Sequence, residues 1–189
     1  MANAADVRIG YAGKAYLAEE GTLAPADIAA AWPAGWEDLG LISEDGLTEG
    51  NDQDRTDIAA WGYDAPVRTQ IIKRVTTFQI KFLETSPRVI SLYYAAPLGD
   101  MVESGSGASQ SVNFVQGQTP APYTRALGLD IVDGSRWFRF VIPRAEVTER
   151  GQITYKGDEA VSYDVTFTTL LAADGSTMLR MYGGLELPA

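Results

Sequence analysis

The sequence predicts a mainly β fold, a sandwich or barrel-like domain with one flanking α-helix and one long inter-strand loop. Three observations predict it. From Ala160 to Leu171 the chain alternates, with Val161, Tyr163, Val165 and Phe167 facing one way and Ser162, Asp164, Thr166 and Thr168 the other, the pattern of a half-buried strand. From Lys73 to Leu83, Thr76, Phe78, Ile80 and Phe82 share one face and Thr77, Gln79 and Lys81 the other. Finally, Asp133-Gly134 separates two strand-like runs, 123–132 and 135–142; this dipeptide favours a two-residue type I′ hairpin turn.

The remaining elements follow in chain order. Val7 to Leu17 has short apolar stretches broken by Gly10 and Gly13 and reads as an opening strand or arm. An alanine-rich loop follows, in which Trp32 and Trp36 flank a Pro33-Ala34-Gly35 turn. Leu39 to Thr48 is strand-like but interrupted by Asp45-Gly46. After the strand at 73–83, Ser86-Pro87 supplies a helix N-cap and first-turn proline, and Val89, Leu92, Tyr93 and Ala96 recur at helical spacing. The helix therefore spans about Pro87 to Ala96. Glu103 to Ser111 has the composition of a surface loop. Asp174-Gly175 turns the alternating strand into Ser176–Tyr182, which predicts a second hairpin.

At 189 residues the chain fits one domain, 1–189, with an N-terminal arm at about 1–36. Apolar residues make up 46% and charged residues 21%, so neither a disordered chain nor a membrane protein is expected. Cysteine and histidine are both absent. This removes disulfides, thiolate or imidazole metal ligands, and Ser-His-Asp triads. The first ten residues contain Arg8 but no apolar core, so no signal peptide is expected.

The net charge is −10 and the isoelectric point about 4.4, which opposes stable binding to nucleic-acid phosphates or anionic lipid. The charge is concentrated: between Glu37 and Asp64 nine acids meet a single base, Arg55. Asp52, Asp54 and Asp57 have the beginning of a calcium-loop spacing, but the turn glycine is missing and the twelfth position is Tyr63. Gly13-Lys14 lacks the earlier glycine and the following hydroxyl of a phosphate loop. Paired carboxylates could hydrolyse glycosides without histidine, yet such a cleft needs aromatic platforms and usually a longer chain. No enzyme and no cofactor is expected.

Arg136, Arg139, Arg144 and Arg150, with Trp137, Phe138 and Phe140, form the basic and aromatic cluster of the sequence. Alternation divides its aromatics between two faces, which suits a core face opposite an interface face better than a stacking platform for single strands.

The order of these features resembles the major tail tube proteins of long-tailed, non-contractile phages. The resemblance rests on LISEDGLTEG at 41–50, the excursion to Pro66-Val67-Arg68, and the strand-then-helix TTFQIKFLETSPRVISLYYAA at 76–96. It continues through WFRFVIPRAEVTERGQITYKGDEAVSYDVTFTTLLAADGST at 137–177. It implies a structural virion protein of the tail-tube type. Subunits would form hexameric rings, stacked into the tube through which DNA is ejected into the host. Its partners would be copies of itself and the tape measure, tail terminator and tail-tip proteins. DNA would pass without stable binding, and no membrane would be involved.

The resemblance also places the inter-ring loop at Thr48 to Pro66, a segment expected to order only on docking. Asp52, Asp54, Arg55, Asp57, Trp61 and Tyr63 would make the inter-ring contact. Glu44, Gln70, Asp130 and Glu146 are the candidates for the lumen wall. The alternative reading of the same composition is a decoration, adhesion or carbohydrate-binding β-sandwich on a particle surface.

Overall fold

The computed structural model describes residues 6–117 and 122–185. Ten strands and one α-helix follow in order: β1 (Ala12–Ala18), β2 (Glu37–Asp38), β3 (Ile42–Ile58), β4 (Arg68–Phe82), α1 (Pro87–Tyr94), β5 (Val102–Ser104), β6 (Ser111–Asn113), β7 (Thr124–Asp133), β8 (Arg136–Arg150), β9 (Tyr163–Thr169) and β10 (Leu179–Tyr182). Eight of the strands form one antiparallel sheet in the order β2-β1-β7-β8-β9-β4-β3, with β10 added beside β8. The mainly β expectation with one helix holds. The barrel does not: the sheet stays open, because no ladder joins β3 to β1 or β2 among the described residues.

Instead the sheet folds over on itself. The long strand β8 makes this possible by changing partners along its length. One edge pairs with β7 from Arg136 to Glu146, while the other takes β10 at Phe138–Val141 and β9 from Ala145. Phe78 on β4 and Phe140 on β8 thereby meet across the core at 6.0 Å between ring centroids, although β9 separates their strands in the sheet. The alternation in the sequence supplies that core: Phe78, Ile80 and Phe82 on β4 and Tyr163, Val165 and Phe167 on β9 are all buried. Removing one of the fully buried phenylalanine rings would cost about 3–5 kcal/mol.

Helix α1 starts where the sequence puts it. The Ser86 hydroxyl accepts from the Val89 N–H at 3.3 Å, and Pro87 occupies the first turn. Ala95 ends it in the left-handed region, φ 53°, two residues before Pro97. Val89 and Leu92 enter the core, and the buried Ser91 and Tyr123 hydroxyls lie 3.0 Å apart in a hydrogen bond that ties the helix to the start of β7.

Two turns differ from expectation. In the β7–β8 hairpin Asp133 pairs with Arg136, so the two-residue loop is Gly134-Ser135, not Asp133-Gly134. Gly134 has φ 59° and Ser135 is not in the positive-φ region, which is the type II′ arrangement with glycine first. At Asp174-Gly175 the turn forms, with Gly175 N–H donating to Ala172 C=O at 3.0 Å. The chain then leaves β9, and β10 pairs with β8. No second hairpin results, because the free edge that β10 finds is on the first half of β8.

The third difference bears on function. The stretch 48–66, read as a long loop, is strand as far as Ile58. β3 and β4 pair from Thr48–Gln79 to Ile58–Arg68, leaving a connection of 59–67. The sequence lacks apolar alternation here because both faces of the arm are exposed, so burial could not print a period of two. Similarly, the N-terminal 1–36 stretch contributes β1, which pairs along its whole length with β7.

Candidate assembly surfaces

Three surfaces could carry an interaction, and each is built by the sheet. The first is the distal β3–β4 arm. β9 covers β4 only from Thr77 to Phe82, so the pair beyond that point stands clear of the remaining strands, and residues 61–74 are exposed throughout. The arm spans nine residues of β4, about 30 Å at a strand's rise per residue. Its tip is closed by Val67 N–H donating to Ile58 C=O at 2.9 Å, with a bend in which Tyr63 N–H donates to Ala60 C=O. Gly62 at φ 86° allows that bend. Trp61 is fully exposed, and Ile58, Tyr63 and Val67 are exposed beside it.

The base of the arm is held by an ion pair. Arg180 on β10 donates Nη1 to Glu49 Oε2 at 3.0 Å and Nη2 to Glu49 Oε1. The arginine's hydrogen bonds hold the Glu49 carboxyl below the usual carboxylate range, against the opposing effect of burial and with help from Asn51. The same bonds push Arg180 upward. Thus β10, added beside β8, clamps β3 from across the folded sheet.

The second surface is the polar side of the sheet, opposite the core face of β4, β9 and the end of β8. Gln79 Nε2 donates to Asp164 Oδ2 at 3.0 Å, the Thr148 and Thr168 hydroxyls lie 2.8 Å apart, and Lys81 is 3.9 Å from Asp45. Glu146, opposite Thr168 in the ladder, shares this side. Asp52 and Asp54 continue it along the arm by strand parity with Thr48.

The third surface lies over β1, β7 and the first half of β8, on the face away from the core, where residues 19–36 return across the sheet. Trp32 stacks on Tyr16 at 4.7 Å and contacts Trp36 at 4.6 Å. It sits so closely on Gly128 that a Cβ there would be 2.3 Å from the indole. Beneath it Arg139 and Asp130 make a two-pronged ion pair, Nε to Oδ1 at 2.7 Å and Nη2 to Oδ2 at 2.9 Å. Trp32 Nε1 also donates to Asp130 Oδ2 at 2.7 Å, and Arg139 Nη1 donates to the Ala30 carbonyl at 2.6 Å. Every prong of the pair is therefore satisfied.

The sequence-predicted residues fall as follows. Asp52, Asp54, Arg55 and Asp57 lie on β3 along the arm, and Trp61 and Tyr63 at its tip. Gln70 is exposed on the opposite strand, β4, and Glu44 is exposed near the bend at Gly46. Glu146 is half-buried on the polar sheet side. Asp130 lies elsewhere: it is 3% exposed and paired with Arg139, which is 2% exposed, so in the subunit it offers no carboxylate to a channel. Strand alternation separates Trp137 and Arg139 from Phe138 and Phe140, but nothing in the sequence showed that Trp32, more than ninety residues away, would cover Arg139.

Among the described residues no cluster of three or more acids could hold a metal ion. No curated protein matches the chain. A family model described as phage tail tube protein matches residues 1–182. The chain, an open β-sheet with a projecting arm, thus belongs to the phage tail tube protein family: it is a structural component of the virion tail and not an enzyme.

Proposed function

We propose that this subunit closes into hexameric rings, and that the rings stack into the tail tube of a long-tailed, non-contractile phage, the conduit for DNA ejection. The observation that carries the reading is the arm. Its tip exposes Trp61, Tyr63, Ile58 and Val67 at the end of a stem about 30 Å long, and an aromatic cluster held away from its own core suits insertion into a neighbouring copy. In the stack the tip enters the adjacent ring. Asp52, Asp54, Arg55 and Asp57 flank that contact along the stem.

The polar sheet side faces the channel, with Glu146 on the wall and Glu44 and Gln70 toward its borders. With a net charge of −10 on every copy, such a channel repels DNA, which carries about one negative charge per ~1.7 Å, and lets it slide without counterion-release binding. The tape measure, tail terminator and tail-tip proteins fix length and ends.

Negative-stain microscopy of the concentrated protein, with and without those tail partners, tests the reading. Hollow sixfold rings or tubes are expected. A protein that stays monomeric under every condition, or that binds a glycan as a monomer, overturns it in favour of a surface module.

A further inference from the structure

A cavity of about 610 Å³ opens at the seam where β1 and the start of β3 lie side by side without a ladder. Pockets that take a ligand run from roughly 300 to 1,000 Å³, so a large side chain fits. Tyr11, Leu41, Ile42, Leu47 and Ile131 form its apolar lining, and its polar lining, which includes Glu84, is mostly acidic. Tyr11 and Leu41 are exposed. Ala12 to Lys14 have no strand beside them on the seam side, because β2 reaches β1 only at Tyr16 and Leu17. The cavity sits at the start of β3 and just past the end of β4, whereas the aromatic tip closes the far end of the same two strands. β4 runs fifteen residues between them, roughly 45 Å at a strand's rise per residue. A copy displaced along the arm therefore brings its tip to the cavity of the next.

We propose that this cavity seats the arm tip of a copy in the adjacent ring, with Trp61 entering beside Tyr11 and Leu41. The inference rests on the stacking proposed above and adds where the tip goes. The indole covers the apolar lining, and its Nε1–H donates to Glu84. That carboxylate accepts the Leu41 N–H through Oε1 at 2.9 Å, which leaves Oε2 for a second donor. A buried tryptophan finds an acceptor of this kind. Arg68, across the ladder from Ile58 at the tip, forms no ion pair within the subunit and brings a cation to the acidic lining. A second copy is the occupant because tip and cavity are different surfaces at opposite ends of one strand pair, which holds each tip away from its own cavity. A contact between two different patches does not stop at a dimer, and repeated along the arm it builds an open stack.

The chain has no cysteine, so a pair of introduced cysteines reports on one contact. In tubes of Ala12→Cys/Ala59→Cys a short bis-maleimide should link subunits of successive rings into a covalent ladder, and either single variant should give none. Leu41→Asp, at an exposed position, should raise the concentration needed for tubes about tenfold or more. Trp61→Ala should do the same, and the two changes together should do no more harm than one, since both act on one contact. Preformed rings of the two variants, mixed, should pair and stop at two, because only one tip and one cavity remain matched. Tubes of the paired-cysteine variant that crosslink no more than the singles overturn the proposal. So do normal tubes from Leu41→Asp, or losses that add in the double variant. If the unchanged protein forms no tube under any condition, the stacking reading itself fails; tubes that depend on Trp61 but ignore Leu41 and give no ladder sink this seat alone.

Discussion

Asp130 and Arg139 face each other across the β7–β8 ladder and join through two hydrogen bonds, at 2.7 and 2.9 Å, beneath the indole of Trp32. Removing one partner leaves the other charge buried and uncompensated. Asp130→Ala is therefore expected to destabilise the subunit by about 3–5 kcal/mol, whereas replacing both with apolar residues of similar volume should recover most of the loss. Urea unfolding of the single and double variants checks this; a double variant no more stable than the single one contradicts it.

Gly128 gives the second prediction. A methyl group there meets the Trp32 ring at 2.3 Å, so Gly128→Ala must lift the indole from the sheet. The expected cost is about 1–3 kcal/mol, with a changed tryptophan emission in the folded state. Unchanged emission and stability would show that Trp32 does not rest on this glycine.

The third concerns pH and the clamp between Glu49 and Arg180. The folded Glu49 carboxyl titrates below its ordinary value. The stability it contributes is thus present above the unfolded carboxylate range and is lost as pH falls through the lower folded value. Glu49→Gln should cost on the order of 1 kcal/mol near neutral pH, and the difference from the unchanged protein should shrink on acidification. Thermal melts from neutral pH into the acid range measure it, and a difference that grows toward acid would reverse the sign.

A fourth prediction separates folding from stacking. Trp61 makes no use of its own core, being fully exposed, so Trp61→Ala should leave subunit stability within about 0.5 kcal/mol. If the tip enters the next ring, the same change should weaken stacking by about 2 kcal/mol or more and leave isolated rings. Tubes of normal length from this variant would place the inter-ring contact elsewhere.

The fifth addresses the channel. Glu44, Gln70 and Glu146 changed together to lysine should leave tubes intact but slow DNA ejection, most strongly at low salt. Equal ejection kinetics at low salt would remove these residues from the wall.

What the sequence made legible is what burial imprints on it. Phe78, Ile80 and Phe82 and their partners on β9 announce themselves by alternation, and Ser86-Pro87 announces α1 by the chemistry of its first turn. The arm was misread as loop because Asp52 to Asp57 pair through backbone alone, which leaves no mark on side-chain pattern. Asp130 was read as a channel residue because its partner Arg139 is local but its cover, Trp32, is not. The path of β10 to β8 was hidden for the same reason: Asp174-Gly175 specifies a turn but not the edge that the chain finds after it.

The registers of the sheet also order events in time. Ile58 and Arg68 close the arm across ten residues, whereas Ala18 and Ala126 join β1 to β7 across more than a hundred. Hairpins form in about 1–10 μs, while chains dominated by distant pairings take milliseconds to seconds. The ladder of the arm therefore closes early, but as a lone two-stranded hairpin it is only marginally stable until Thr77 to Phe82 pair with β9. Throughout that interval its strands meet other nascent arms at whatever concentration the host's ribosomes supply. Asp52, Asp54, Asp57, Lys73 and Arg74 place charge along these exposed strands, the device by which open edges resist edge-to-edge aggregation, so the early-closing part of the chain is protected while the late-forming part assembles.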